Sequence, residues 1–149
     1  MSACTFFGHG DCPDNIRPQL KDAILSLAES GVRDFYVGCN GNFDKLVRSV
    51  LREFSSENAL RYAVVLAYLD ERAAALHKEG YPTLFPEGLE DVPPRFAISW
   101  RNKWMIKKSD YVLCYVKYSF GGAAKFRESA IKQGKTVMDL AEQRPSTNG

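Results

Sequence analysis

Five short apolar runs constrain this chain more than any other feature. They cover residues 4–7, 34–37, 62–68, 111–116 and 136–140. Each is rich in β-branched and aromatic residues and runs apolar without alternating. That is how strands read when both faces of their sheet are covered. Helical patterns lie between them. Ile16, Leu20, Ala23, Ile24 and Leu27 recur on one helical face, with Gly31 as a stop. Phe43, Leu46, Val47, Val50, Leu51 and Phe54 predict a second helix. Phe96, Trp100 and Trp104 lie four apart in a third, near Ala97, Arg101 and Met105. Ala123, Phe126 and Ala130 predict a last helix before Gly134.

Strands alternating with helices imply an α/β fold with a parallel sheet covered on both faces and right-handed crossovers. The expectation is a three-layer, Rossmann-like sheet of about five strands in the order 3-2-1-4-5. Ligands of such sheets bind beyond the carboxyl ends of the strands, near the switch point. One domain over residues 1–141 is expected, with 142–149 as a polar flexible tail. Residues 70–78 read as helical. Residues 80–94 carry Gly80, Pro82, Pro86, Gly88, Pro93 and Pro94. They read as a long loop, either a lid or a cover over the sheet edge, holding Tyr81, Phe85 and Leu89 in need of packing.

Composition excludes several classes. The 149 residues are 45% hydrophobic and 26% charged, with a formal net charge of +2 not gathered in one block. That argues against nucleic acid or a membrane surface as partner. No apolar stretch is long enough to span a bilayer. Met1-Ser2-Ala3 has no basic leader, so no signal peptide is expected. The four cysteines, Cys4, Cys12, Cys39 and Cys114, contain no CxxC pair. They read as reduced thiols of a cytoplasmic protein, without a metal site and without a cofactor.

Three glycine-containing turns follow strands. They are Gly8-His9-Gly10-Asp11, Gly38-Cys39-Asn40-Gly41-Asn42-Phe43-Asp44 and Ser119-Phe120-Gly121-Gly122-Ala123-Ala124. The topology puts all three at the carboxyl end of the sheet. Glycine lets backbone N–H groups approach a ligand. The second and third turns also open helices, whose N-termini attract anions. None is a P-loop or a clean GxGxxG, which excludes the usual NTPase and dehydrogenase readings.

These turns, with Ser109-Asp110-Tyr111-Val112 before the third, resemble the SLOG superfamily over residues 3–140. That group includes the LOG phosphoribohydrolases, the DNA-processing protein DprA and the small YpsA-like proteins of bacteria, and the YpsA-like branch is the nearest likeness. LOG enzymes carry an Arg-Lys-x-x-Met motif and a Pro-Gly-Gly-x-Gly-Thr-x-x-Glu motif. Here Arg101 and Met105 match the first, and Gly121, Gly122 and Glu128 match the second. The resemblance implies that Arg101 and Glu128 face the ligand, and that Asp44 lines the pocket. It also implies that the two would act in cleaving a base–ribose bond if the chain is an enzyme.

The departures bear on chemistry. Phe120 replaces the motif proline, Ala124 a close-approach glycine, and Lys125 a phosphate-binding threonine. Gly10 stands where YpsA-like relatives have arginine. Lys125 offers a point charge to phosphate instead. The expected ligand-binding set is Gly8, His9, Gly38, Gly41, Asp44, Arg101, Ser119, Gly121, Gly122, Ala123, Ala124, Lys125 and Glu128. The reading is a protein that binds a nucleotide or nucleotide-derived ligand in a sensing or regulatory role. A LOG-like phosphoribohydrolase is the alternative. A DprA-like nucleic-acid binder, with Arg48, Arg52, Lys107 and Lys108 as a local basic face, is a second alternative. The bland readings are a turn-capping His9, an Asp44 serving the helix dipole, and solvated Arg101 and Glu128. The Phe96-Trp100-Trp104 stripe reads as core or as the face of a homodimer.

Overall fold

The computed structural model describes residues 2–56 and 60–141. The expected tail at 142–149 lies outside them. Six parallel strands form one sheet: β1 (Ala3–Gly8), β2 (Asp34–Val37), β3 (Arg61–Val65), β4 (Thr83–Leu84), β5 (Tyr111–Tyr115) and β6 (Thr136–Asp139). Their order is β4-β3-β2-β1-β5-β6. This is the predicted 3-2-1-4-5 arrangement with one more strand on the β3 edge. β1 pairs with β2 from Ala3↔Asp34 and with β5 from Cys4↔Tyr111. The sheet therefore switches direction on either side of β1.

Alternation along β1 divides the core. Cys4 and Phe6 point to one face, where helices α1 (Arg17–Glu29) and α2 (Gly41–Ser55) pack with Leu20, Ile24, Phe43, Val47 and Val50. Phe7 points to the other, against Met105 and Ile106 of α4 (Ala97–Lys108) and Phe126 and Ala130 of α5 (Gly122–Lys132). Ring stacking marks both layers: Phe6–Phe35 at 6.3 Å and Phe7–Phe126 at 5.5 Å between centroids. Helix α3 (Glu71–Lys78) is capped by the Asp70 carboxylate, which accepts from the Ala73 N–H at 3.0 Å.

Two expectations are refined. Residues 80–94 are not a bare loop. They contain β4, which is tied to the sheet by Val64 N donating to Pro82 O and Leu66 N donating to Leu84 O, both at 2.8 Å. A 3-10 turn (Leu89–Asp91) follows, with Leu89 buried in a small cluster with Ala67 and Ala97. The segment is a packed cover, which answers the need of Phe85 and Leu89 for partners. The buried stripe of α4 is displaced by one residue from the aromatic one: Ala97, Arg101 and Met105 are buried, while Phe96 is exposed and Trp100 and Trp104 are half-buried. An arginine holds the middle of that buried face.

Glycines at the first two turns are packing devices. A Cβ on Gly8 would fall inside the Phe43 ring, 2.2 Å from Cγ. Gly41 has φ +86°, and a Cβ there would lie 2.7 Å from Gly10 Cα. The two turns are also joined by Asn42 N donating to Gly10 O at 3.0 Å. By contrast, a Cβ on Gly10 itself meets nothing closer than 3.9 Å. Gly8→Ala and Gly41→Ala are therefore expected to destabilise by roughly 1–3 kcal/mol each, from overpacking and backbone strain. Gly10→Ala is expected to be near neutral. Urea unfolding checks all three, and equal losses at Gly8 and Gly10 would contradict the packing account.

Candidate functional site

The carboxyl ends of β1, β2 and β5 open onto a cleft of about 130 Å³. Its apolar wall comes from Phe6, Phe7, Met105 and Phe126, and its polar lining from Asn40, Asp44, Arg101 and Asn102. Gly8 stands at the first turn, and Gly122 and Ala123 at the third. All three glycine turns thus reach this one end of the sheet, the first and third by glycine and the second through Asn40 and Asp44.

Arg101 is 2% exposed, among the most deeply buried large side chains. Its guanidinium is held on three sides. Nη1 donates to Val65 O at 2.9 Å, Nη2 to Asn40 Oδ1 at 2.8 Å, and Nε to Asn102 Oδ1 at 2.8 Å. The Cys39 sulfur lies 3.9 Å from Nη1. Such a planar fork, bonded through all three of its nitrogens, is rigid, and it suits arginine far better than lysine. Gly38 makes the room: a Cβ there would lie 2.9 Å from Asp44 Oδ2 and 3.1 Å from Arg101 Nη1.

Asp44 is buried beside it, and its Oδ2 accepts from Asn40 N at 3.0 Å. Burial raises its carboxyl to about 6, and burial prevails over the opposing pull of Arg101, the Asn40 N–H and Arg48. Asp44 also answers the N-terminus of α2 with a carboxylate of its own. Helix α5 is different. Gly121 caps it with φ +96° and ψ 176°, a region open essentially to glycine, and supplies no side-chain cap. No acid lies in its first turn.

Five further predicted residues fall around a second cavity of about 430 Å³, across the 121–124 turn from the first, while His9, Gly38 and Gly41 line neither. Ser119, Gly121, Ala124, Lys125 and Glu128 line this second cavity, with Tyr118 and Phe120. Arg101 and Glu128 therefore line different cavities. Arg127, which also borders the second, sits 3.2 Å from the buried Asp139 carboxylate. His9 lines neither cavity. Its Nε2 accepts the backbone N–H groups of Lys117 at 2.9 Å and Tyr118 at 3.2 Å, which requires the proton on Nδ1. Its structural job is thus visible: it fixes the loop after β5 to the loop after β1. Asn40 and Asn102 went unnoticed as lining residues, although both sit inside the quoted motifs. An amide side chain carries no signal of burial or partner in the sequence.

The cysteines are all thiols, three buried and Cys39 half-buried. Burial raises Cys4 beyond the usual thiol range and pushes Cys12 up to about 12. Among the described residues no cluster of three or more His, Cys, Asp or Glu could hold a metal, and no helix is long and apolar enough to cross a membrane.

The Asp44 carboxyl sets a pH dependence with a definite sign. A folded-state value near 6 means that the folded chain keeps a proton that the unfolded chain releases near 4. Stability from this group is therefore fully present below pH 4 and declines as pH rises to 6, by about 3 kcal/mol in all. Asp44→Asn keeps an acceptor oxygen and does not titrate. Its melting temperature is expected to gain on the native chain between pH 4 and pH 7. Parallel melting curves across that range would show that Asp44 does not carry the effect.

Comparison with solved structures places the architecture. The fold is similar to that of DNA processing protein A (DprA) from Streptococcus pneumoniae, with a TM-score of 0.66 at 14% sequence identity. The match covers 92% of this chain and 49% of that one, so the chain spans about half the length of its neighbour. No family model matches the sequence. No curated protein matches it either. The chain shares the Rossmann-like fold of DprA.

Proposed function

We propose that the chain binds a nucleotide or nucleotide-derived ligand at the carboxyl ends of its strands, in a sensing or regulatory role, as the SLOG and YpsA-like resemblance implies. One observation carries the reading. Of the two helices that start from glycine turns at the cleft, α2 carries Asp44 in its first turn, whereas α5 begins with neither an acidic side chain nor a side-chain cap. An anion such as phosphate is favoured there by the exposed first-turn N–H groups and the helix dipole. The small cleft beside it has room for a phosphate or a pentose rather than a whole nucleotide. Asn40, Asp44 and Asn102 offer it amide and carboxylate groups suited to sugar hydroxyls. The larger cavity across the turn, with Lys125 on its wall, takes the rest of the ligand.

The LOG-like reaction needs Arg101 and Glu128 at one reacting bond, and their separation between two cavities favours binding over turnover. Chromatography for free base after incubation with nucleoside 5′-monophosphates is expected to show none. A nucleic-acid role is kept as a second reading by the fold shared with a DNA processing protein. Salt-sensitive binding of single-stranded DNA would favour it.

The direct test is thermal shift. A selective nucleotide at about a hundredfold excess over its Kd is expected to raise the melting temperature by roughly 5–10 °C. Gly122→Asp is the decisive variant. A Cβ at Gly122 meets nothing within 4 Å, so the fold accepts a side chain there. An aspartate in the first turn of α5 favours the helix but occupies the place of the anion. The variant is expected to melt no lower than the native chain and to lose the nucleotide shift. Retention of the full shift in Gly122→Asp would overturn the placement of the phosphate.

A further inference from the structure

Tyr118 and Phe120 form an exposed stack beside the larger cavity. Their rings lie 5.4 Å apart with 25° between planes. Tyr118 is 39% exposed and Phe120 70%. On the inner side, the His9 ring lies 4.8 Å from that of Tyr118. Three rings therefore run in series from the end of β1 outward, and the last has a face open to solvent. An exposed phenylalanine gains little from folding, since its apolar area stays in water. The stack is nevertheless held in place, because His9 Nε2 takes both the Lys117 and the Tyr118 N–H groups and so pins the backbone that carries it. Next to the open ring lies the cavity of about 430 Å³, whose polar wall includes Ser119, Lys125 and Glu128.

We infer that the Tyr118–Phe120 pair is a stacking platform for a nucleobase, with His9 as the positioning residue that holds it. The inference rests on the reading of a nucleotide ligand at this end of the sheet. It adds which way the ligand lies. The phosphate sits at the start of α5, the sugar enters the small cleft, and the base turns outward across the 121–124 turn onto Phe120. A flat π-face is what such a ring offers, and it accepts any base without reading its edges. Ser119, Lys125, Arg127 and Glu128 surround it with a hydroxyl and with charges of both signs. That mixture discourages a lipid surface and suits a group with both donors and acceptors. The base can belong to a free nucleotide or to a single strand, and the chemistry of the platform is the same for both.

Isothermal titration separates these. The probes are adenosine 5′-monophosphate against ribose 5-phosphate, and oligo(dT) against its abasic counterpart. The native chain is expected to prefer the base-bearing member of a pair by roughly tenfold or more. Phe120→Ala is expected to abolish that preference while leaving ribose 5-phosphate binding unchanged, and Phe120→Trp to retain it. Both changes fall on an exposed side chain, so the fold is not at stake. His9→Phe keeps a ring against Tyr118 but offers no acceptor, and is expected to lower the preference without altering ribose 5-phosphate binding. Binding of adenosine 5′-monophosphate with a preference untouched by Phe120→Ala overturns the platform and leaves the nucleotide reading standing. No binding of either small ligand, with an oligo(dT) preference that Phe120→Ala removes, overturns the nucleotide reading and keeps the platform. No base preference in either pair overturns the platform outright.

Discussion

The buried guanidinium of Arg101 is the constraint around which this end of the molecule is arranged. It joins the end of β3 through Val65 O, the turn after β2 through Asn40, and its own helix through Asn102. A charge taken out of water is costly unless each of its donors is met. Meeting them fixes three elements with respect to one another. It also explains the glycine at 38, since any larger residue would push against Arg101 and Asp44 together. The hydrogen bonds run to neutral oxygens, and Asp44 supplies the opposite charge from close by. The polar floor of the cleft is thus a structural keystone.

The strands were legible because burial on both faces of a sheet leaves a strong trace, an unbroken apolar run. The order followed from parallel pairing and connection rules. The added edge strand was not legible. Thr83 and Leu84 belong to a stretch of only three residues between Pro82 and Pro86, too short to read as a strand; their pairing is decided by the β3 edge that they meet. The aromatic stripe on α4 told only part of its packing: Trp100 and Trp104 border core clusters, and Phe96 is exposed. Hydrophobicity pointed to Phe96, Trp100 and Trp104, whereas the inward face centres on an arginine whose charge is answered by partners distant in sequence.

The site was legible as a place more than as a set of roles. Gly8 and Gly41 read in the sequence as openings for a ligand, and the structure adds a packing reason that the sequence does not show, the Phe43 side chain beside Gly8 and the crossing of two backbones at Gly41. A glycine's purpose depends on what faces it, and that neighbour comes from another part of the chain. His9 was equally opaque. Its two donors lie 108 and 109 residues away. Gly10 leaves open space rather than a strained backbone, so a side chain there would change the chemistry of this end of the sheet and not its shape.

The short strand β4 has a consequence beyond the site. Backbone groups alternate along a strand, so with the Pro82 and Leu84 carbonyls turned inward to β3, Thr83 is the residue within β4 that turns its N–H and C=O outward. Pro82 and Pro86 stand in the inward-facing series, and proline has no N–H to donate to β3, so the pairing that makes this edge cannot lengthen through them. An incoming strand would find an edge of two residues where it needs several. The sheet is closed on this side by running out of hydrogen-bonding backbone, a safeguard against edge-to-edge association that needs no charge and no covering helix.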